Sequence, residues 1–172
     1  MDKKEVKEIV GNNIEKLKND NFSFSTTYTK DWNLILKVSI KKDKRKAEYL
    51  DEIIDSKIEN IKIIKELYMN IYKEILEKNH SLLTKENMNL IKVKMKEINS
   101  FFDYAISKLN DRKIKWNYFK SLWIDFSTQE FDKYVKDIKK IFSNVNLYFY
   151  LNINTNYINN KFFETIYKED YK

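Results

Sequence analysis

The apolar positions of this chain change period several times, and each change marks an element. Over residues 3–19, Val6, Ile9, Val10, Ile14 and Leu17 recur at helical spacing with charges between them, and Asn13 falls on the same face. Period two follows. Phe22, Phe24, Thr26 and Tyr28 alternate with Ser23, Ser25 and Thr27, and then Trp32, Leu34, Leu36, Val38 and Ile40 alternate with Asn33, Lys37, Ser39 and Lys41. Two such runs across the short polar gap at 29–31 predict an antiparallel hairpin. The gap holds neither Asn-Gly nor Asp-Gly, so its turn type stays open.

Residues 45–111 are the stretch around which the rest is organised. They read as two long helices joined by a polar break at 79–81. One apolar series is Leu50, Ile54, Ile58/Ile61, Ile64, Tyr68, Ile71 and Ile75; the other is Met88, Ile91, Met95, Ile98, Phe102, Ala105 and Leu109. The second keeps the 3-4 alternation of a helix packed along another helix. At ~1.5 Å per residue the two helices run to about 50 and 40 Å, so a hairpin of this kind projects beyond a small domain. Ile53, Leu67, Tyr72 and Leu76 on the first helix, and Leu90, Phe101 and Ile106 on the second, widen the apolar stripe beyond one seam. Such a stripe needs the sheet, a partner or a second copy to cover it, so a homodimer or partner site is expected towards the tip of the hairpin.

Past residue 110 the period returns to two. Ile114, Trp116, Tyr118, Leu122, Ile124 and Phe126 share a parity that only Lys120 breaks, which predicts a strand over 113–126, whole or kinked. Ser127-Thr128-Gln129-Glu130 reads as a capping box opening a helix with Phe131, Tyr134, Val135, Ile138, Ile141 and Phe142 on one face. Leu147, Phe149, Leu151 and Ile153 alternate with Tyr148, Tyr150 and Asn152 as a last strand, and 156–168 reads as a terminal helix. The order predicts an α+β fold: a mostly antiparallel sheet of about four strands backed by helices, with the long helical hairpin inserted between strands. With no Pro and one Gly, nothing marks a linker, so 1–172 reads as a single domain.

Composition narrows the class. A chain of 172 residues that is 42% hydrophobic can build a real core. No apolar run approaches the ~18–20 residues of a membrane span, and the charged start lacks the apolar core of a signal peptide. The expectation is a soluble, cytoplasmic protein with no membrane partner. Zero cysteine removes disulfides, thiolate catalysis and Cys-based zinc sites. A net charge of +7 favours polyanion partners. A chain crowded with Lys, Asn, Ile and Tyr also bears the imprint of A+T-rich coding, which raises lysine without any role.

Candidate chemistry is sparse. The single Gly11 excludes phosphate-binding glycine loops, which need several glycines so that backbone amides can close on phosphate. The single His80 falls at the tip of the helical hairpin, a poor place for a base held against a nucleophile. A metal-dependent nuclease needs carboxylates on adjacent strands. Asp31 and Asp125 offer little towards that, and the row Glu48, Asp51, Glu52 and Asp55 reads as a solvated face pairing with lysines. No catalytic residue, metal or cofactor is assigned.

The remaining candidates are contact residues: the basic group Lys41, Lys42, Lys44, Arg45 and Lys46; a second group of Lys113, Lys115 and Lys120; and the aromatics Phe119, Trp123, Tyr148 and Tyr150, expected on the outward face of the late strands. Aromatics flanked by cations on an open sheet stack and neutralise single strands. The competing expectation is that helices cover that face. The leading expectation is a non-catalytic protein that docks on a protein or ribonucleoprotein, one concrete form being a mobile-element inhibitor of a host complex that targets nucleic acid. Direct RNA or DNA binding is the alternative, and a nuclease the third.

Overall fold

The computed structural model describes residues 3–17, 20–125, 129–143, 145–155 and 163–171. In order, the elements are α1 (Lys3–Lys16), β1 (Phe22–Tyr28), β2 (Asn33–Ile40), α2 (Leu50–Asn79), α3 (Lys85–Asp125), α4 (Gln129–Ser143), β3 (Val145–Asn154) and β4 (Phe163–Tyr171). Short 3-10 turns, Ala47–Tyr49 and His80–Leu82, precede and follow α2. The fold is α+β, with one antiparallel sheet in the order β1-β2-β3-β4. The α2–α3 hairpin is inserted between β2 and β3.

The β1–β2 turn closes through Thr29: its amide donates to the Asn33 carbonyl, and its carbonyl accepts from the Trp32 amide. Trp32 lies at φ 61°, the left-handed region, which is costly for any residue with a Cβ.

Inward positions of the sheet form the core. Leu34, Leu36, Val38 and Ile40 of β2, and Leu147, Phe149, Leu151 and Ile153 of β3, are buried. Rings continue that core into the helices. Tyr68 of α2 meets Phe102 of α3 edge-on at 5.5 Å, Phe102 stacks on Phe149 of β3 at 5.2 Å, and Phe149 meets Tyr167 of β4 at 5.2 Å. Helix α2 is the central helix, buried along two rows. Of the extra apolar positions, Ile53, Leu67 and Tyr72 are buried in it and Leu76 is half-buried, so most of the wider stripe on this helix is covered within the molecule. On α3 the corresponding Leu90 and Phe101 are exposed.

Two elements differ from the sequence expectation. Residues 113–125 do not form a strand; they continue α3, which the expectation ended at 111, and Phe126 lies outside the described residues. The seam spacing runs on past Leu109 to Arg112, Trp116, Phe119 and Trp123. Trp116 is fully buried there, whereas Ile114 and Tyr118, which made the alternation, are solvent-exposed. One cation at a seam position, Arg112, hid the helical period. At the C-terminus, the expected helix over 156–168 gives way from residue 163 to β4, where Phe163 and Thr165 point inward and Glu164, Ile166 and Lys168 outward. The Phe/Thr/Ile/Tyr content of β4 suits a pleated, half-buried strand. The rest of that expected helix, 156–162, and Ser127 and Thr128 of the expected capping box lie outside the described residues.

Candidate binding surfaces

The structure divides the expected contact residues among three places. The first is the junction between β2 and α2. Lys41, Lys42, Lys44 and Lys46 are exposed there, while Arg45 turns back on Asp43. Its Nε donates to both Asp43 oxygens at 3.1 Å, and its Nη2 donates to Oδ2 at 2.7 Å. The Asp43 carboxyl is held below its usual range, chiefly by that hydrogen bond. Arg45 also reaches Glu52 at 3.2 Å.

Beside this junction lies a cavity of about 380 Å³. Its wall comprises Asp20, Asn21, Ile40, Lys41, Lys42, Asp43, Lys44, Ser56, Lys57 and Asn60. Lys57 is only 3% exposed, and among the described residues its Nζ has no hydrogen-bond partner. Burial lowers its pKa to about 8, against a smaller opposing pull from Asp43. Sequence reasoning passed over Lys57 and Asn60, yet a signal was present. Ile53, Lys57, Asn60, Ile64, Leu67 and Ile71 form a 4-3-4-3-4 row, and two polar residues interrupt it at buried positions.

The second place is the sheet. Its outward face holds Ser23, Ser25 and Thr27 of β1, exposed, then Ile35, Lys37 and Ser39 of β2 and Tyr148, Tyr150 and Asn152 of β3, half-buried. Among the described residues the helices gather on the opposite face. Tyr148 and Tyr150 therefore stand on an uncovered sheet, and the expectation of a helical cover is corrected. Lys37 lies opposite Tyr150 in register, with its Nζ 5.0 Å from the Tyr148 ring centroid and 5.8 Å from that of Tyr150. Lys168 of β4, opposite Tyr148, places Nζ 5.2 Å from the Tyr150 ring. Two cations thus bracket two rings, each contact favourable through the ring quadrupole.

The other aromatics and cations of the expected sheet face are elsewhere. Phe119 and Trp123 belong to α3, not to a strand. Lys113 and Lys120 are also on α3 and pair across the hairpin with Asp55 and Asp51 of α2, both at 2.8 Å. This cross-hairpin pairing accounts for half of the acidic row and withdraws two cations from the expected second basic contact. Lys115 is exposed. His80 sits exposed in the 3-10 turn at the hairpin tip. Among the described residues no three His, Cys, Asp or Glu side chains are grouped to hold a metal ion, and no helix is long and apolar enough to cross a membrane.

The third place was not expected. Between the end of α3 and α4 runs a groove of about 560 Å³ lined by Ile114, Lys115, Tyr118, Phe119, Tyr134, Ile138 and Phe142. Ile114 is 67% exposed, Tyr118 62% and Tyr134 52%. Phe119 meets Tyr118 at 5.9 Å and Tyr134 at 5.8 Å, both edge-on, so the rings form one array across the two helices. In the sequence these residues were divided between a strand and a separate helix, so the array was not visible. Compared with known proteins, the chain matches no family model, no curated protein and no solved structure.

Proposed function

We propose that this is a non-catalytic binding protein that docks on a protein or ribonucleoprotein through the groove between α3 and α4. One observation carries the reading: Ile114, Tyr118 and Tyr134, three large apolar or aromatic side chains, are each more than half exposed beside half-buried Phe119, Ile138 and Phe142. Scattered exposed apolar residues are ordinary, but contiguous ones with aromatic anchors mark a surface that a partner desolvates. Tyrosine suits the role, since a rigid ring gives large contact area at low entropic cost. The test is affinity capture from cells with the tagged chain and its Ile114→Glu/Tyr134→Glu variant. The variant should fold as the wild type does, because both side chains face solvent, and should lose a partner that the wild type retains. Equal capture by both proteins would remove this groove from the reading.

A second reading, single-stranded nucleic acid on the outward sheet face, is favoured by the bracketing of Tyr148 and Tyr150 by Lys37 and Lys168. Base stacking on exposed rings, with cations at backbone distance, is the physics such sheets use.

A further inference from the structure

We propose that the cavity at the β2–α2 junction is an oxyanion site that takes a phosphoryl group, with Lys57 at its floor and Lys41, Lys42 and Lys44 at its rim. This rests on the cavity alone and not on the α3–α4 groove. An ammonium removed from water without a hydrogen bond is among the least favourable groups a protein can hold. Lysine usually avoids this by extending its stem to the surface. Lys57 does not, for its Nζ is itself buried and unpartnered.

The neighbouring carboxylate relieves it only in part, through charge and without a hydrogen bond. Asp43 is engaged by the guanidinium and the backbone amide of Arg45. Among the described residues the wall sets four lysines against two carboxylates, Asp20 and Asp43. Water in the cavity would supply hydrogen bonds but would leave that positive excess in place. A phosphoryl oxyanion, as monoester or diester, supplies both acceptors and negative charge, and a lysine's flexible stem lets its ammonium follow the ligand.

The cavity also limits what carries the phosphoryl group. Its volume, about 380 Å³, falls in the range of small-molecule sites. It exceeds the needs of one phosphate, so there is room for an attached moiety. Among the described residues Ile40 is the single apolar side chain of the wall and no aromatic ring lines it, so the carrier is polar and is not a stacked base. Buried Asn60 offers it both a donor and an acceptor. Two sources share this chemistry: a small phosphorylated molecule, and the backbone of a nucleic acid.

The experiment titrates the full chain with inorganic phosphate, and separately with pyrophosphate, against chloride at matched ionic strength, reading melting temperature and calorimetric heat. A saturable response in the wild type is expected, weakened about tenfold or more in Lys57→Met, which removes a charge-assisted contact. Should Lys57→Met fail to fold, the exposed triple variant Lys41→Gln/Lys42→Gln/Lys44→Gln is read instead, with a similar loss expected and an unchanged melting temperature without ligand. A response no larger than that of chloride, or one equal in wild type and variant, overturns the site. A short single-stranded oligonucleotide then separates the sources. Displacement of phosphate by it, lost with the same variant, assigns the backbone of a nucleic acid; phosphate that stays bound assigns a small phosphorylated molecule.

Discussion

At the scale of single residues, Lys57 makes a stability claim independent of any ligand. Its ammonium titrates at about 8 in the folded chain, against 10.5 for an unperturbed lysine. Below about pH 8 both states hold the proton, and the folded state carries the full cost of a buried cation. Between there and about pH 10 the unfolded chain holds more protons, so by linkage stability rises with pH. The gain expected from pH 7 to 9.5 is about 2 kcal/mol, measured as urea unfolding free energy. Lys57→Met should be more stable than wild type at pH 7 and lack this rise. The window stops short of pH 10 because Tyr68 and Tyr72, whose hydroxyls burial pushes above the usual value, act with the opposite sign beyond it. A wild-type profile as flat as that of the variant would show Lys57 solvated.

At the scale of elements, the link between α3 and β4 is polar at its centre. Arg112 places Nη1 2.6 Å from Glu169 Oε1 and Nη2 2.9 Å from Oε2, a bidentate pair, and Lys108 adds a contact at 3.3 Å. The Glu169 side chain is 8% exposed. Burial raises its pKa, but the hydrogen bonds and charges of Arg112, Tyr167 and Lys108 together outweigh that and hold it below the usual range. The stabilisation is therefore present above the unfolded carboxylate pKa of about 4.3, and is lost as pH falls through the folded value. Arg112→Met leaves a buried carboxylate short of its main partner and should cost about 3 kcal/mol, the low end for breaking a buried pair because Lys108 remains. Adding Glu169→Leu should recover much of it in a double-mutant cycle; no recovery would mean that Arg112 acts through packing alone. The same pair explains what could be read in advance. Helices α1 and α2, the β1–β2 hairpin and β3 were legible because their apolar residues lie at positions their period requires. The C-terminal third of α3 was not, because Arg112 occupies a seam position that pairing with Glu169, 57 residues away, makes habitable. The exposed Ile114 and Tyr118 supplied a false alternation in its place. Of the sites, the basic junction was legible as a charge run, but the cavity needed the folded neighbour Asn60 and the buried course of Lys57 to exist at all.

At the scale of the whole molecule, the two faces of the sheet differ in kind: one carries the core and the helices, the other stands uncovered with its two bracketed tyrosines. If single strands lie on it, Tyr148→Ala with Tyr150→Ala should weaken filter binding of an unstructured oligonucleotide by about 1–3 kcal/mol per ring while leaving the salt slope intact. Lys37→Gln with Lys168→Gln should instead make that slope shallower by up to about two. Undiminished binding in both variants would retire the sheet face. A separate consequence follows from the insertion of the long hairpin between neighbouring strands. Residues Ile40 and Leu147 are paired in the sheet, yet all of α2, α3 and α4 lies between them in the chain. The β1–β2 ribbon is a local structure, but two strands alone are at best marginal in water. The third strand must search for its partner across a very large loop, whose closure entropy is met only when α2 and α3 have already paired. The topology therefore favours an order in which α2 and α3 pair before β3 closes on β2, a late, long-range step. During synthesis, β2 waits with an unsatisfied edge until β3 has left the ribosome, an interval in which an unpaired edge invites chaperones and aggregation.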